Sequence, residues 1–141
     1  MKAKEFIIEL FDKTVKWSTD SYGDSRFDVN GIEFYVEFTQ IGNDTLSIIF
    51  SDTSDDSIEI TGKMGNESLV VLSTVAKIIL QTISSRKPEH FKFTADRSEP
   101  SRVSLYRRLA KKLPQLLPYS LEIGGEYGEE TFKFTKNNEA I

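Results

Sequence analysis

Two glycines and one tyrosine are the residues of this chain best suited to chemistry. Gly62 and Gly65 lie in a short turn before a long apolar segment, and Tyr106 lies within a later segment of helical spacing. Backbone N–H groups in a turn that opens a helix can bind phosphate groups. A tyrosine held close to such a turn is a candidate proton donor. The pattern therefore predicts a site for an acyl carrier or a nucleotide.

The elements that must position these residues alternate between strand and helix. The segment after the turn is apolar on almost every side in its first half, which predicts a helix buried on more than one side. Two phenylalanines then alternate with polar residues, as in a strand with one buried face. A further helix follows, with Ser98 as its N-cap and Tyr106 on its inner face. The predicted elements are a strand over 57–61, a helix over 67–84, a strand over 90–95 and a helix over 98–113.

The chain before the turn predicts one amphipathic helix and then antiparallel strands. Asn30 and Gly31 separate two alternating segments, and both residues accept the positive φ of a tight hairpin. The predicted elements are a helix over 2–17, a loop over 18–25, strands over 26–29, 32–40 and 45–50, and a loop over 51–56.

The end of the chain completes a mixed sheet. The pattern predicts a closing hairpin over 119–123 and 131–135, then a frayed tail over 136–141. The full order is α–β–β–β–β–α–β–α–β–β, which predicts an α/β fold whose helices cover a central sheet of about six strands. A length of 141 residues predicts a single domain, 1–141.

Composition excludes several classes of site. The chain contains no cysteine and a single histidine, His90. Disulfides, thiolate nucleophiles, cysteine-ligated metals and multi-histidine metal sites are therefore excluded, and no metal site is predicted. A serine–histidine arrangement must use His90, although a histidine beside a strand is more often structural. The N-terminal segment mixes charge into its apolar residues, and no segment approaches the roughly 20 apolar residues of a membrane span, so we expect a cytoplasmic protein.

Charge is distributed unevenly along the chain. Residues 1–70 carry 6 basic and 14 acidic side chains, a net charge of −8, whereas residues 71–141 carry 12 basic and 8 acidic side chains, a net charge of +4. Such a dipolar surface can orient a partner, or it can be two differently charged solvated faces. The basic cluster Arg107, Arg108, Lys111 and Lys112 lacks interleaved aromatic residues, so a solvated face is favoured over a nucleic-acid site.

The order of elements and two short motifs resemble the Gcn5-related N-acetyltransferase (GNAT) family. The resemblance covers residues 32–134. The family's pyrophosphate-binding turn has the form (Arg or Gln)-x-x-Gly-x-(Gly or Ala), and here residues 62–67 occupy it, with Gly62 at its first position and Glu67 at its last. The family's later pattern Asn-x-x-Ala-x-x-Leu-Tyr is matched by residues 101–106, which begin with Ser101 and end in Leu105-Tyr106.

The resemblance implies transfer of an acetyl group from acetyl-CoA to an amine. It implies a mostly antiparallel sheet with helices on both faces. Acetyl-CoA would lie in a splay, a gap where two neighbouring strands separate, between the strands over 57–61 and 90–95. Tyr106 would be the general acid, and an acceptor amine would be deprotonated near Glu33, Glu37 and Glu59. The implied cofactor-binding residues are Gly62, Lys63, Met64, Gly65, Asn66, Glu67 and Ser68.

A non-enzymatic protein on the same fold is the alternative. The chain is also similar to small GNAT-like proteins of tailed bacteriophages, and this likeness implies an accessory or inhibitor protein that binds a host protein in the host cytoplasm. Under that interpretation the two glycines only connect a strand to a helix, Lys63 is solvated and Tyr106 is a core tyrosine. Glu67 bears on the choice, because its carboxylate favours the start of a helix but repels a pyrophosphate there.

Overall fold

The described residues of the chain form a seven-stranded sheet with two α-helices. A computed structural model describes residues 14–52, 66–96, 100–125 and 128–137, with the side chains of residues 52, 66–69, 96 and 100–102 left out. Its elements are β1 (Ser18–Thr19), β2 (Ser25–Val29), β3 (Ile32–Ile41), β4 (Thr45–Asp52), α1 (Asn66–Arg86), β5 (His90–Asp96), α2 (Pro100–Lys112), a 3-10 helix (Leu113–Gln115), β6 (Tyr119–Gly124) and β7 (Glu129–Lys136).

The sheet is mixed but mostly antiparallel, as predicted. Its strand order is β1-β2-β3-β4-β5-β7-β6. Every neighbouring pair is antiparallel except β4 and β5, which are parallel. The predicted number of about six strands is too low for the described residues, because β1 forms within the segment predicted as a loop over 18–25. Its two residues pair with Arg26 and Ser25.

The Asn30–Gly31 hairpin is confirmed. Asn30 has φ 54° and Gly31 has φ 84°, so both residues adopt the left-handed backbone that a two-residue turn requires. The register beyond the turn begins with Val29 opposite Ile32 and Phe27 opposite Phe34. These pairs place the apolar side chains of both strands on the same face.

The predicted N-terminal helix over 2–17 falls mostly outside the described residues. Its last residues, 14–17, are not helical. They are instead held against α1, where the Val15 N–H donates to Thr74 Oγ1 at 3.1 Å and the Lys77 ammonium lies 5.7 Å from the centre of the Trp17 ring. These contacts with α1 replace the hydrogen bonds that a helix would make.

Both described helices lie on one face of the sheet. Every buried strand side chain belongs to that face. From α1, Val71 and Val75 line a cavity with Phe50 of that face, and from α2, Tyr106 packs against Phe50 edge to face. The predicted arrangement with helices on both faces is therefore not confirmed. Neither described helix lies on the other face, which we call the uncovered face. Strict alternation of apolar and polar side chains along the strands is typical of a sheet with one face in the core.

The core is a layer of aromatic rings beneath α1 and the apolar face of α2. Phe91 and Phe134 stack with ring centres 4.4 Å apart, and Phe93 lies 5.3 Å from Phe132. On α1, the burial predicted for Val71, Val75 and Ile79 is confirmed, since each side chain is buried in the core. Residues 67–84 were predicted to be helical, and the observed helix, Asn66–Arg86, extends slightly beyond both ends of that range.

Tyr119 closes the end of this core. Its ring packs edge to face on Phe91, with ring centres 5.0 Å apart, and its hydroxyl donates a hydrogen bond to the Pro88 carbonyl at 2.5 Å. Burial raises the pKa of the Tyr119 phenol, and the nearby Glu89 carboxylate raises it further. Tyr119 therefore connects the start of β6 to the segment that precedes β5.

We expect Tyr119→Phe to lower the free energy of unfolding by about 1 kcal/mol near neutral pH, because it removes one buried hydrogen bond. Since folding raises the pKa of Tyr119, the stability linked to that pKa is fully present below about pH 10 and is lost as pH rises through the folded value. The variant should therefore lose less stability at alkaline pH than the parent protein. Urea unfolding curves at several pH values measure both effects.

Tyr22→Phe is the matched control, because the Tyr22 side chain is 84% exposed. It should leave the free energy of unfolding and its alkaline dependence unchanged. Equal alkaline loss of stability in the parent protein and Tyr119→Phe would contradict the assignment of that loss to Tyr119.

Candidate functional site

The parallel strands β4 and β5 pair at one end and separate at the other. Only three register pairs join them, Thr45 with His90, Leu46 with Phe91 and Ser47 with Lys92. Beyond these pairs β4 stays bonded to β3 as far as Asp52, and β5 stays bonded to β7 as far as Asp96. A gap therefore opens between the carboxyl ends of β4 and β5, and we call it the splay.

The splay has a different partner strand from the one expected. The sequence predicted it between the strands over 57–61 and 90–95, whereas the strand that pairs in parallel with β5 is β4. Residues 57–61 lie outside the described residues. A strand's neighbour is set by tertiary pairing, which the local alternation of side chains does not encode, so the sequence did not identify β4 as the parallel partner of β5.

Three aromatic rings meet where the strands separate. Phe50 on β4 and Phe93 on β5 have ring centres 5.2 Å apart, and Tyr106 on α2 lies 5.0 Å from Phe50 and 6.1 Å from Phe93. All three pairs are edge-to-face contacts, which aromatic rings prefer. The catalytic candidate of the sequence analysis is thus located at the splay, with 6% of its surface exposed.

A small apolar cavity lies beside these rings. Its volume is about 20 Å³. That is room for about one water-sized group, and an apolar lining favours a methyl group over a water molecule. The lining includes Phe34, Phe50, Val71, Val75, Leu105 and Tyr106.

Of the segment predicted to bind phosphate, residues 62–68, only Asn66, Glu67 and Ser68 lie within the described residues. Gly62, Lys63, Met64 and Gly65 lie outside the described residues. Asn66, Glu67 and Ser68 form the first residues of α1, whereas the sequence predicted the helix to begin at Glu67. The catalytic candidate and the start of α1 therefore belong to elements that border the same cavity, since Val71 and Val75 of α1 and Tyr106 of α2 all line it.

A second, polar space lies at the β1 edge of the sheet. This groove has a volume of about 250 Å³ and is lined by Ser18, Thr19, Asp20, Asp24, Ser25, Arg26 and Tyr35. Tyr35 lines the apolar cavity as well, so this residue borders both spaces. The Tyr35 hydroxyl donates a hydrogen bond to Glu33, and this bond is the main cause of a raised pKa of the phenol. Sequence reasoning missed the groove because residues 18–25 were predicted to be a loop.

The acidic residues expected near an acceptor amine lie on the uncovered face. Glu33 and Glu37 belong to β3 and point away from the helices, since Phe34, Val36 and Phe38 are the residues of β3 buried in the core. Glu59 lies outside the described residues. Asp28 lies directly opposite Glu33 in the register, which adds a further carboxylate to this part of the face.

His90 connects three segments at the end of the splay where β4 and β5 are paired. Its Nδ1 lies 3.0 Å from Thr135 Oγ1, its Nε2 lies 3.9 Å from Asp44 Oδ2, and its backbone N–H donates to the Asp44 carbonyl at 2.9 Å. The side chain is 22% exposed. These contacts fasten the turn before β4 to β5 and β7 at the end opposite Tyr106.

The basic cluster on α2 is partly engaged within the protein. The Arg107 guanidinium binds both carboxylate oxygens of Glu130 on β7, at 2.8 and 2.9 Å. Arg108 and Lys111 are exposed. Arg107 therefore fastens α2 to the sheet.

Two kinds of feature are absent from the described residues. Across them, no group of three or more histidine, cysteine, aspartate or glutamate side chains is arranged to hold a metal ion. No helix within them is long and apolar enough to cross a membrane.

The comparisons with known proteins assign no family. No protein-family model matches the sequence, and no curated protein matches it.

Proposed function

We propose that this protein is a GNAT-like acyltransferase that moves an acetyl group from acetyl-CoA to an amine in the cytoplasm. The observation that carries the proposal is the splay between β4 and β5, with Tyr106 and a methyl-sized apolar cavity beside it. The family resemblance places acetyl-CoA in a splay of this kind. The cavity would take the acetyl methyl group, because its size and apolar lining suit that group.

The start of α1 supports the position proposed for the pyrophosphate. α1 ends at Arg86, shortly before His90, which lies at the paired end of β4 and β5. A helix of 21 residues is about 31 Å long, so its first turn lies toward the opposite, open end. The first N–H groups of any helix have no acceptor within that helix, and the helix dipole favours an anion there. These groups, with the turn over 62–65, would hold the pyrophosphate.

The proposed reaction is direct transfer. The neutral amine attacks the thioester carbonyl carbon, a C–N bond forms, the C–S bond breaks, and the thiolate takes a proton from the Tyr106 hydroxyl. The amine nitrogen releases its extra proton to water, which balances the reaction after Tyr106 is reprotonated. The protein would contribute mostly by positioning the two reactants and by supplying this proton.

Acetyl-CoA should bind and raise the melting temperature. At a concentration of about 100 times Kd the ligand adds about 2.7 kcal/mol to the free energy of unfolding, or roughly 8 °C at about 3 °C per kcal/mol. Isothermal titration calorimetry and a thermal melt measure the two quantities. Acetylpantetheine, which lacks the pyrophosphate, should give a smaller shift at equal concentration.

Glu67→Ala tests whether the pyrophosphate lies at the start of α1. Removing this carboxylate should tighten acetyl-CoA binding by about 1.5- to fivefold, as expected for the roughly 0.2–1 kcal/mol of an interaction between two solvent-exposed charges. Glu122→Ala on the edge strand β6 makes the same change far from the splay and should leave affinity unchanged.

Absence of heat and of a thermal shift when acetyl-CoA is added to the parent protein would disprove the acyltransferase proposal.

The alternative is a non-enzymatic protein that binds a host protein. The observation that favours it is the sheet face opposite α1 and α2, where Ile49 is 49% exposed and Ile41 is 45% exposed. Ile41 is paired with Thr45, four residues from Ile49 along β4, so the two isoleucines are separate apolar contacts that a partner protein could cover on this face. A folded protein that binds no acetyl-CoA would favour this alternative.

A further inference from the structure

The outer edge of β6 presents backbone groups that no strand pairs with. β6 lies at one end of the sheet, and among the described residues its only neighbour is β7. The Asn137 N–H donates to the Pro118 carbonyl at 2.9 Å, and these two residues continue the β6–β7 register by one step. In an antiparallel ladder, hydrogen-bonded pairs alternate with pairs whose N–H and C=O groups point to the other side. Leu121 and Ile123 therefore direct their N–H and C=O groups away from β7.

β6 lacks the features that usually prevent two sheets from joining at their edges. Such features are very short strands, prolines, bulges and lysines. The other edge strand, β1, has two residues, whereas β6 has six. The residues of β6 all pair with β7 in an unbroken register, and none of them is a proline or a lysine. The β6 edge, unlike the β1 edge, can therefore accept a further strand.

An apolar row runs along this edge, on the face that α1 and α2 cover. Leu121 and Ile123 lie opposite Phe134 and Phe132, two residues of the core. Leu121 packs against the core, whereas Ile123 is 41% exposed. A strand added to β6 would place side chains beside Ile123 and continue the core across the junction. The edge therefore offers apolar contact as well as hydrogen bonds.

We propose that two copies of this chain associate through β6, as antiparallel strands related by a two-fold axis at Leu121. The backbone groups of the two copies are then complementary. Each Leu121 N–H donates to the Leu121 carbonyl of the other copy, and each Ile123 N–H donates to the Tyr119 carbonyl. The Tyr119 N–H is not needed, since it already donates to the Leu117 carbonyl at 2.8 Å. The pairing joins two seven-stranded sheets into one, with an isologous interface.

Glu122 favours this register over the next one. Two registers overlap the strands almost fully, one with Leu121 opposite Leu121 and one with Leu121 opposite Ile123. The second register places Glu122 opposite Glu122, and like charges directly opposite each other destabilise a sheet. The first register places Glu122 opposite Ser120, which carries no charge.

The proposed interface is small and lies away from the splay. A single ladder between two short strands buries less than the roughly 1,600 Å² of a typical stable interface. We therefore expect a dimer in reversible equilibrium with the monomer, populated at high protein concentration. Because β7 lies between β6 and β5, association leaves the splay open. The inference does not depend on acetyl-CoA binding.

Sedimentation velocity and amide hydrogen exchange of the purified protein test the proposal. We expect the weight-average sedimentation coefficient to rise with protein concentration. Over the same range the amide hydrogens of Leu121 and Ile123 should become protected from exchange, because they are bonded only in the dimer. The amide hydrogens of Ser120 and Glu122 point toward β7 and should be protected at every concentration.

Ile123→Lys places a charge in the apolar row at the edge. It should raise the dissociation constant of the dimer by about 2- to 30-fold, as expected for the loss of two cross-strand pairs. Ile49→Lys is the matched control, because Ile49 is 49% exposed and lies on the uncovered face of β4. It should leave the dissociation constant unchanged.

A monomer at every concentration would overturn the proposal. A dimer in which Leu121 and Ile123 still exchange rapidly would overturn it as well, by placing the contact on another surface. Equal weakening by the two lysine variants would show association through general apolar contact and overturn the assignment to β6. A marked tightening by Glu122→Gln would place Glu122 opposite its counterpart and overturn the proposed register.

Discussion

Replacing Tyr106 with phenylalanine should lower the rate of acetyl transfer by about 10²–10⁴, the usual contribution of a positioned proton donor. The ring would keep its edge-to-face contacts with Phe50 and Phe93, so the packing beside the splay should survive. Affinity for acetyl-CoA should change little, because the hydroxyl acts on the departing thiolate. The measurement is an acetyl-transfer assay on a panel of amines, together with a denaturation curve.

Tyr119→Phe makes the same chemical change on a buried tyrosine at the other end of the core and is the control. It should cost stability and leave the transfer rate unaltered. Full activity in Tyr106→Phe would remove this tyrosine from the mechanism. A loss of about 1 kcal/mol of stability with unchanged activity would identify Tyr106 as a core residue only.

Replacing Phe91 with alanine should lower the free energy of unfolding by about 3–5 kcal/mol, the usual cost of removing a buried aromatic ring. Phe91 is fully buried, stacks on Phe134 and packs edge to face against Tyr119. A loss of this size is a large part of the roughly 5–15 kcal/mol that stabilises a typical domain. Urea unfolding curves measure the loss in free energy of unfolding. We also expect a low yield of folded protein at ordinary temperature.

Ile49→Ala is the matched control for this variant. Ile49 lies on the uncovered face and is 49% exposed, so its truncation should cost about 0.5 kcal/mol or less. Similar costs for the two substitutions would contradict the placement of the core on one side of the sheet.

Most regular elements could be predicted from the sequence because their signals are local. The Asn30–Gly31 turn has residues that accept positive φ, and the residues of α1 are apolar on nearly every side. β1 could not be predicted, because Ser18 and Thr19 are polar and the strand exists only through pairing with β2. The placement of both described helices on one face of the sheet could have been predicted, because Phe91 and Phe93 alternate with Lys92 and Thr94 on β5.

The candidate site was predictable only in part. The position of Tyr106 on the inner face of a helix follows from periodicity, and its contact with Phe50 and Phe93 agrees with that. The pairing of β4 with β5 is non-local, so sequence reasoning placed the splay beside a different strand. The groove depends on a turn that folds Asp20 and Asp24 back beside β2, and only the tertiary structure brings Tyr35 to it.

The short ladder between β4 and β5 also divides the sheet into two leaves, one of β1 to β4 and one of β5 to β7. The ladders β2–β3, β3–β4, β5–β7 and β6–β7 have five to eight register pairs each, whereas three register pairs join the leaves. At the open end the leaves are joined by side chains instead, because Phe50 of one leaf contacts Phe93 of the other and Tyr106 of α2 contacts both. The union of the two leaves therefore depends on backbone hydrogen bonds beside His90 and on aromatic packing beside Tyr106.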